Sequence, residues 1–404
     1  MSSILITSIL AGGGHIAAMH ALKRAFVEIG AQDSVHTFES SLKHIDRSHR
    51  FLNTKLPQFY QFCYDSMCAS SGFRQCYHVL SHFSLKPIED ELMHYLENRS
   101  FDLVISTHFM QTYALLKIRH KKRAHFLIGS YIPDFDANPI LFPHYKNKYP
   151  DIGIAQSLDF LNTLCRHTSL KPEQTALKAG FLPRIEFSLC ELTKIQARQE
   201  LLSQLPKHTH LSTYQIDPNK TTIIVTGGSF WSALIFNSIQ EIAQTESIDW
   251  ARTQILIACG YNQHAVLQYN NLAQSLQKPI IPLGFLSAPL MALFMRSADI
   301  TVLSGLAPAT LYELLESQAG PILVHRANAG AEKFNLTHFQ KQKLVEYVPL
   351  VSDLITRLSL WTTQKDTLEI ETRLFLTRAI QEKKEAHARA LKVAKTLLNQ
   401  IKTT

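Results

Sequence analysis

Cysteines and long apolar runs are both scarce in this sequence. The 404 residues include six cysteines, none of them in a C-x-x-C pair, which argues against a disulfide framework or a zinc site and for a reducing compartment. No apolar run reaches the roughly 18 residues that cross a bilayer. The apolar stretch from Ile4 to Leu10 has no basic leader and runs into glycines, which favours a buried strand over a signal peptide. We therefore expect a cytoplasmic protein.

Charged residues are modest in number and unbalanced in sign. They make up 18% of the chain, against 46% hydrophobic residues, which is typical of a globular protein. The length of 404 residues allows two or three domains. The 41 basic and 33 acidic residues give a net charge of +8. This excess suits a nucleic acid, an anionic membrane or a phosphorylated substrate, and it does not choose among them.

Short aliphatic runs alternate with helical patterns along most of the chain. Such alternation predicts buried parallel strands joined by helical crossovers. Two series of this kind, each opening with a strand, a glycine loop and a helix, predict an α/β protein with two Rossmann-like domains facing a cleft. We place these domains at residues 1–184 and 185–375, followed by a basic C-terminal helix at 376–404. The predicted strands are 4–6, 35–38, 102–106, 124–129, 222–226, 254–259, 279–283, 299–303 and 321–324.

Two segments depart from this alternation. Residues 50–85 carry many aromatic side chains among basic and polar ones, a pattern that suits either a membrane interface or an inserted helical hairpin packed on the first sheet. The segment 376–404 has seven Lys or Arg residues and two Glu residues, which is typical of a solvated helix face.

The first glycine loop is the run Gly12-Gly13-Gly14-His15 between a strand and a helix. Backbone N–H groups and the helix dipole favour negative charge in a ligand at such a place. The same glycines also satisfy the loose dinucleotide pattern G-x-G-x-x-G/A, with Glu39 as an acid farther along. A nucleotide-dependent oxidoreductase is therefore an alternative, although that pattern does not require the histidine.

A second loop, Gly227-Gly228-Ser229, follows a later strand and has the same mechanics. Elsewhere, Asp134 and Asp136 form a D-x-D pair, which holds a divalent metal in one class of glycosyltransferases. That class has only one nucleotide-binding half, so we do not expect a metal here. No P-loop lysine motif, G-x-S-x-G elbow or H-E-x-x-H motif occurs in the sequence.

Seven segments of the chain follow one another in an order shared with a known family. In chain order they are Gly12–His15, Asp134, Gly180–Arg184, Gly227–Ser229, Gly284-Phe285, Pro308–Glu313 and Gly330–Asn335. The order resembles the monogalactosyldiacylglycerol synthase and processive diacylglycerol glucosyltransferase family. A cousin of that family is the N-acetylglucosaminyltransferase of peptidoglycan lipid-intermediate synthesis. The resemblance covers about residues 4–345 and is strongest in the second half.

This resemblance implies the GT-B fold and an inverting transfer of a hexose from a UDP-sugar to a membrane lipid, with diacylglycerol as the expected acceptor. It implies no cofactor and no metal, the acceptor in the first domain and the nucleotide sugar in the second. Pro57, Tyr60 and Tyr64 match the family's membrane-facing insert. The expected partners are thus a UDP-sugar, a lipid acceptor and an anionic membrane surface, without nucleic acid, and the protein is expected to be peripheral on the membrane.

The family's site residues can be carried over by position. The acceptor loop is then Gly12, Gly13 and Gly14, with His15 and Asp134 as the catalytic candidates. The donor residues are Gly227, Gly228 and Ser229 at the diphosphate, Gly284 and Phe285 at the uracil, Pro308 and Thr310 in the phosphate-facing turn, Glu313 at the ribose, and Glu332 and Asn335 at the sugar and phosphate.

Three positions differ from the family pattern. Ala309 replaces a glycine of the phosphate-facing turn, Ala331 replaces the glutamine of a G-Q-E motif, and Asn138 replaces a histidine before Pro139. These differences leave two further alternatives beside the oxidoreductase. One is a transferase acting on a polyprenyl-linked or other acceptor, and the other is a non-catalytic relative that binds a nucleotide or lipid.

Overall fold

The computed structural model describes residues 3–9, 14–40, 51–52, 55–70, 72–73, 82–122, 124–188, 190–205, 214–227 and 234–403. Four of the predicted loop residues, Gly12, Gly13, Gly228 and Ser229, lie outside these ranges, as does Cys76. Within the described part of the chain, two parallel six-stranded sheets with flanking helices form two compact units. The predicted fold class, α/β with two Rossmann-like units, is confirmed.

Each unit draws on more than one stretch of the chain. The first comprises Met1–Leu182, Ala329–Phe334 and Lys384–Thr404, and the second comprises Pro183–Asn328 and Asn335–Lys383. Two segments therefore group differently from the predicted ranges. The turn at 329–334 and the last part of the C-terminal helix both belong with the first unit.

The first unit is built on a sheet with the strand order β2-β1-β3-β4-β5-β6, in which every neighbouring pair is parallel. All six residues of β1 are buried, as expected for a strand covered on both faces. The strands are β1 Ile4–Ile9, β2 Val35–Ser40, β3 Leu103–Ser106, β4 Leu127–Ile132, β5 Ile152–Ala155 and β6 Ala176–Lys178. The helices are α1 Gly14–Glu28, α2 Pro57–Ala69, α3 His82–Leu96, α4 Phe109–Lys122 and α5 Leu158–His167, with 3₁₀ turns at Gln32–Ser34 and Pro139–Leu141.

The second unit has the strand order β12-β11-β10-β7-β8-β9, again parallel throughout. Its strands are β7 Thr221–Thr226, β8 Thr253–Ala258, β9 Ile280–Leu283, β10 Ile300–Leu303, β11 Ile322–Val324 and β12 Glu346–Tyr347. Its helices begin with α6 Ile185–Ser188, α7 Lys194–Gln204, α8 Phe236–Gln244, α9 Gln263–Leu276 and α10 Ala288–Arg296. They continue with α11 Pro308–Glu316, α12 Glu332–Lys341, α13 Val351–Thr363 and α14 Lys365–Thr403.

Helix α14 is longer than the sequence pattern predicts, and its basic face is partly paired. A Cβ added at Gly180 would lie 2.0 Å from the carbonyl oxygen of Ala386, so only glycine allows this end of the helix to approach so closely. His387 Nε2 lies 2.8 Å from Glu28, and Lys392 Nζ lies 3.1 Å from Glu173. Within the described residues, no helix is both long enough and apolar enough to cross a membrane.

Candidate active site

Each of the two sheets reverses its strand order at one point, and the described members of the predicted glycine loops, Gly14 and Gly227, lie beside these points. The order reverses between β1 and β3 in the first sheet and between β7 and β10 in the second. Ligands of open α/β sheets bind beyond the carboxyl ends of the strands at such points. In the first unit these ends lead to His15 and Thr107, and in the second unit they lead to Gly227 and Ser304.

His15 occupies the first turn of α1 and is held by the end of β3. Its Nδ1 atom lies 2.6 Å from the carbonyl oxygen of Thr107. A carbonyl oxygen only accepts, so Nδ1 carries the proton and Nε2 is left as the basic nitrogen. The ring of His108 contacts the His15 ring edge to face, with centroids 4.5 Å apart. The site therefore fixes both the tautomer and the orientation of His15.

A buried network of polar side chains and backbone groups supports the contact between His15 and Thr107. The Thr107 hydroxyl lies 3.0 Å from both the Ser8 hydroxyl and the backbone oxygen of His15. Gln111 accepts from the Thr7 hydroxyl and donates to the Ser8 carbonyl, each at 3.0 Å. Sequence analysis missed Thr107, His108 and Gln111, although polar residues directly after a buried strand could have been read as a signal.

Burial also sets the protonation state of His15. The pKa of its imidazole is lowered from 6.5 to about 4, mainly because burial disfavours the charged form, while the bond to Thr107 opposes this shift. The ring is therefore neutral at physiological pH. A neutral imidazole can accept a proton at Nε2 from a hydroxyl group without first losing one, with less driving force than an imidazole of ordinary pKa.

Asp134 and Asp136 follow β4 and occupy different environments. Asp136 is fully buried and accepts from the hydroxyl of Tyr64 on α2 and from the backbone N–H of Asn138, the latter at 3.1 Å. Asn138 Nδ2 in turn donates to the Tyr64 carbonyl at 3.2 Å. The D-x-D pair thus uses Asp136 to attach α2, and Asn138, one of the departures from the family pattern, completes the attachment. Asp134 is only half-buried.

The charge of Asp134 affects the ionisation of Asp136. The pKa of Asp136 is raised from 3.8 to about 6, chiefly by burial, with the charge of Asp134 adding to the shift and the hydrogen bond from Tyr64 opposing it. Among the described residues, no group of three or more His, Cys, Asp or Glu side chains has the arrangement of a metal site. Both oxygens of Asp136 are already used by protein donors.

Helix α2 turns a different set of side chains outward. Phe59 and Phe62 are 57% and 62% exposed, and Phe51 and Phe73 nearby are also exposed. Tyr64 and Met67 face the other way and pack with Ile140. The inner side of α2 is therefore packed, and its outer side exposes aromatic side chains. The membrane-interface interpretation of residues 50–85 stays a prediction.

The inner side of α2 also holds the turn at 329–334. Gly330 N–H donates to Gln61 Oε1 at 2.9 Å. Gly330 has φ +91°, and a Cβ there would lie 3.2 Å from the Tyr60 ring, so glycine is required twice over. Ala331 packs against the cluster that contains Tyr64. The side chain at 331, where the family has glutamine, thus points to α2.

In the second unit, Gly227 allows the ends of β7 and β10 to meet closely. A Cβ at Gly227 would lie 2.2 Å from Ser304 Oγ. Ser304 is fully buried, and its hydroxyl has no hydrogen-bond partner in the described ranges. Sequence analysis did not single out this serine, which places a donor beside the predicted diphosphate loop.

The first turn of α11 follows β10 and contains Pro308, Ala309 and Thr310. Pro308 has no N–H to leave unsatisfied and suits this first helical position. The predicted ligand residue Asn335 is fully buried and donates from Nδ2 to the Leu306 carbonyl at 3.2 Å. Asn335 therefore fixes the loop that leads into α11. Glu332 begins α12 in a half-buried position.

Glu313 on α11 has a protein partner that the sequence did not predict. Arg184 donates to its Oε1 atom from Nε at 3.0 Å and from Nη2 at 2.9 Å. Burial raises the pKa of Glu313, and the nearby charge of Arg184 opposes that shift. The predicted contact of Glu313 with ribose hydroxyls stays a prediction, and Arg184 would orient the carboxylate for it.

Two exposed aromatic rings follow β8 and β9. Tyr261 and Phe285 are 61% and 54% exposed and stack on each other, with centroids 4.3 Å apart and ring planes 14° from parallel. Gly284 precedes Phe285, and Gly260 precedes Tyr261 with φ +57°. The predicted uracil segment thus carries an aromatic surface on which a planar base can stack.

No protein-family model matches the chain. Among curated proteins, it is similar to the processive diacylglycerol beta-glucosyltransferase of Bacillus pumilus, with 22% identity over 300 residues. The match covers 68% of this chain and 75% of that protein. The family resemblance inferred from the motifs is confirmed by this similarity.

Two solved structures share the fold over nearly the whole chain. One is the UDP-GlcNAc 2-epimerase of Neisseria meningitidis bound to UDP-GlcNAc, with a TM-score of 0.57, 13% identity and coverage of 99% of this chain and 100% of that one. The other is the glycosyltransferase VinC in complex with dTDP, with a TM-score of 0.57, 12% identity and full coverage of both chains. These likenesses establish the GT-B fold, and together with the curated match they support a glycosyltransferase.

Proposed function

We propose that this chain transfers a hexose from a UDP-sugar to the hydroxyl group of a membrane lipid, with diacylglycerol as the acceptor class and inversion at the anomeric carbon. The support is the GT-B fold, the similarity to a protein named as a processive diacylglycerol glucosyltransferase, and the polar geometry at both strand-order reversals. The UDP-sugar is a co-substrate, and the side chains and backbone groups of the protein supply the base and the groups that bind the diphosphate.

The observation that carries this proposal is the state of His15. Its Nδ1 proton is held by the Thr107 carbonyl, its pKa is about 4, and Nε2 is left as a base. As the acceptor oxygen forms its bond to the anomeric carbon, its proton passes to Nε2. The bond from that carbon to the diphosphate breaks, and UDP leaves with the electron pair.

The departing diphosphate gathers negative charge, which the second unit is suited to stabilise. The first turn of α11 presents backbone N–H groups and the positive end of its dipole. The buried Ser304 hydroxyl beside Gly227 adds a side-chain donor. We infer that these groups, with the loop residues Gly228 and Ser229, bind the diphosphate, while Phe285 stacks on the uracil.

The lipid acceptor requires contact with a membrane. The exposed Phe59 and Phe62 on α2 give an apolar outer face, and the net charge of +8 favours an anionic surface. We infer peripheral binding through this face.

The test is a panel of UDP-sugars incubated with the full chain and a total lipid extract, read by mass spectrometry of the lipids. We expect one or more lipid hexosides whose formation depends on both donor and lipid, together with released UDP. The His15→Ala variant should form them about 10²–10⁴-fold more slowly. UDP-sugar isomerised without a lipid product would instead indicate an epimerase, and binding of UDP without turnover of any donor would indicate a non-catalytic relative.

A further inference from the structure

The turn at 329–334 is attached to a helix that lies far away in the sequence. Gln61 on α2 and Gly330 are 269 positions apart, yet Gln61 Oε1 accepts from the Gly330 N–H at 2.9 Å. The carboxamide is itself oriented, because Gln61 Nε2 donates to Asp65 Oδ1 at 2.7 Å one turn later. The oxygen is thereby directed to Gly330.

Two neighbouring contacts and the backbone conformation of Gly330 restrict the same turn. The Tyr60 ring lies beside Gly330 at a distance that leaves little room for a side chain, and Gly330 itself has φ +91°. Ala331 packs against the cluster of Tyr64, Met67 and Ile140. The turn is therefore held by α2 through one hydrogen bond and one apolar contact.

We propose that Gln61 is a positioning residue for donor-sugar recognition. Its carboxamide fixes the backbone of Gly330 and so places Glu332, two residues later at the start of α12. This inference rests on the proposed function and on the prediction, carried over from the family resemblance, that Glu332 contacts the sugar of the donor.

If Gln61 acts in this way, a substitution at position 61 should weaken binding of the sugar part of the donor and leave binding of the nucleotide part unchanged. Removing the acceptor frees Gly330 without altering the residues assigned to UDP. A hydrogen bond of this kind contributes modestly to stability, so the effect on the turn should be measurable without loss of the fold.

Four variants of the full chain separate the possibilities. Gln61→Leu removes the acceptor, and the double variant Gln61→Glu with Asp65→Asn keeps an acceptor oxygen at similar reach, while the second carboxylate oxygen accepts from the new amide at position 65. Gln58→Leu makes the same change one turn earlier, on an exposed residue of the same helix, and serves as the matched control. Gly330→Ala perturbs the turn from its own side, through the left-handed conformation and the Tyr60 ring.

The first readout needs no ligand. In hydrogen exchange followed by mass spectrometry, peptides covering 329–334 should exchange several-fold faster in Gln61→Leu and Gly330→Ala than in the parent protein. The double variant Gln61→Glu with Asp65→Asn should keep most of the protection, and Gln58→Leu should leave it unchanged. Unchanged exchange in Gln61→Leu overturns the positioning role.

The second readout is kinetic. Gln61→Leu should raise KM for the UDP-sugar about three- to tenfold, which is about 0.7–1.4 kcal/mol at 1.4 kcal/mol per decade. The UDP inhibition constant and kcat should change less than twofold. Faster exchange with an unchanged KM overturns the link to the sugar. If the parent protein does not bind UDP, the proposed function fails together with the sugar role, while the exchange result still decides whether Gln61 holds the turn.

Discussion

His15 Nδ1 lies 2.6 Å from the carbonyl oxygen of Thr107, and this contact selects the ring nitrogen that can act as a base. The imidazole is oriented by two consecutive residues directly after β3, through the Thr107 carbonyl and the His108 ring. A histidine held in this way needs no rearrangement before it accepts a proton at Nε2. Removal of the His15 side chain should therefore slow the chemical step and leave the affinity for the nucleotide unchanged.

The first prediction concerns loss of that base. His15→Ala should lower kcat for lipid glycosylation by about 10²–10⁴-fold, the usual contribution of a positioned general base. UDP affinity, measured by calorimetric titration, should change less than twofold because His15 belongs to the first unit. His94→Ala is the matched control, since that histidine is exposed on α3. A large loss of UDP binding in His15→Ala would mean that His15 contacts the donor.

The second prediction is the pH profile. A base with the ordinary histidine pKa would lose half its activity near pH 6.5, whereas His15 has a pKa of about 4. The rate constant kcat/KM should therefore stay level with respect to this group from pH 7.5 down to about 5, and fall only as His15 is protonated near pH 4. A single acid limb centred near 6.5, present in the parent protein and absent from the residual activity of His15→Ala, would contradict this assignment.

Much of the fold could be predicted because buried parallel strands appear in the sequence as short runs of aliphatic residues. All nine predicted strands are present, with boundaries shifted by a few residues. The three missed strands have weaker patterns: β5 contains Gly153, β6 has three residues, and β12 is the dipeptide Glu346–Tyr347. Glu39, which was expected beyond the second strand, is an exposed residue within β2.

The candidate site could be predicted only in part. Glycine loops after strands are local patterns, and they located His15 and Gly227. The pairs Arg184–Glu313 and Gln61–Gly330 join residues 129 and 269 positions apart, and neither has a periodic signal. The roles of Asp136 and Asn138 were missed for the same reason, since their partner Tyr64 lies on a separate helix.

The third prediction concerns the ribose contact. A carboxylate that accepts from two ribose hydroxyls makes charge-assisted hydrogen bonds worth about 1.5–3 kcal/mol each. Glu313→Ala should therefore weaken UDP binding tenfold or more, and Glu313→Gln should have a smaller effect because the amide oxygen still accepts from Arg184. The measurement is calorimetric titration with UDP.

Glu316→Ala is the matched control for this change. Glu316 lies on the same helix and pairs with Lys383 at 3.3 Å, so its removal also breaks an ion pair. If Glu313→Ala binds UDP as tightly as the parent protein does, the proposal that the second unit binds the nucleotide sugar is wrong.

The fourth prediction concerns the outer face of α2. Phe59→Ser and Phe62→Ser should each weaken binding to anionic vesicles several-fold, because each removes an exposed apolar side chain. Leu267→Ser, at a comparably exposed position in the second unit, should have no such effect. Binding should also weaken with salt, since each basic residue near an anionic surface contributes about 1 kcal/mol and is screened over roughly 10 Å at 0.1 M salt. Vesicle binding that changes neither with salt concentration nor with the content of anionic lipid would refute an electrostatic contribution to membrane binding.

The last prediction concerns Asp136, whose environment combines burial, the Tyr64 hydroxyl and the charge of Asp134. Its folded pKa of about 6 lies above its ordinary value of 3.8, so the folded state retains a proton that the unfolded state has lost. Between about pH 4 and pH 6 the unfolded state therefore binds fewer protons, and the free energy of unfolding falls as pH rises. At about 1.36 kcal/mol per pKa unit, the loss is up to about 3 kcal/mol and is complete above pH 6.

Asp136→Asn should remove this dependence, because its amide oxygen can still accept from Tyr64 and carries no charge at any pH. The difference in unfolding temperature between the variant and the parent protein should therefore shift by several degrees in favour of the variant between pH 4.5 and pH 7. Scanning calorimetry is the suitable measurement, because the three tryptophans of the chain, at positions 231, 250 and 361, fall within the sequence ranges of the second unit and their fluorescence would not follow the first. The titration of His15, which acts in the opposite direction over the same range, is common to both proteins and cancels in the difference. Parallel pH curves for the two proteins would show that Asp136 is ionised in the folded state throughout, and that α2 is attached by a carboxylate and not by a carboxylic acid.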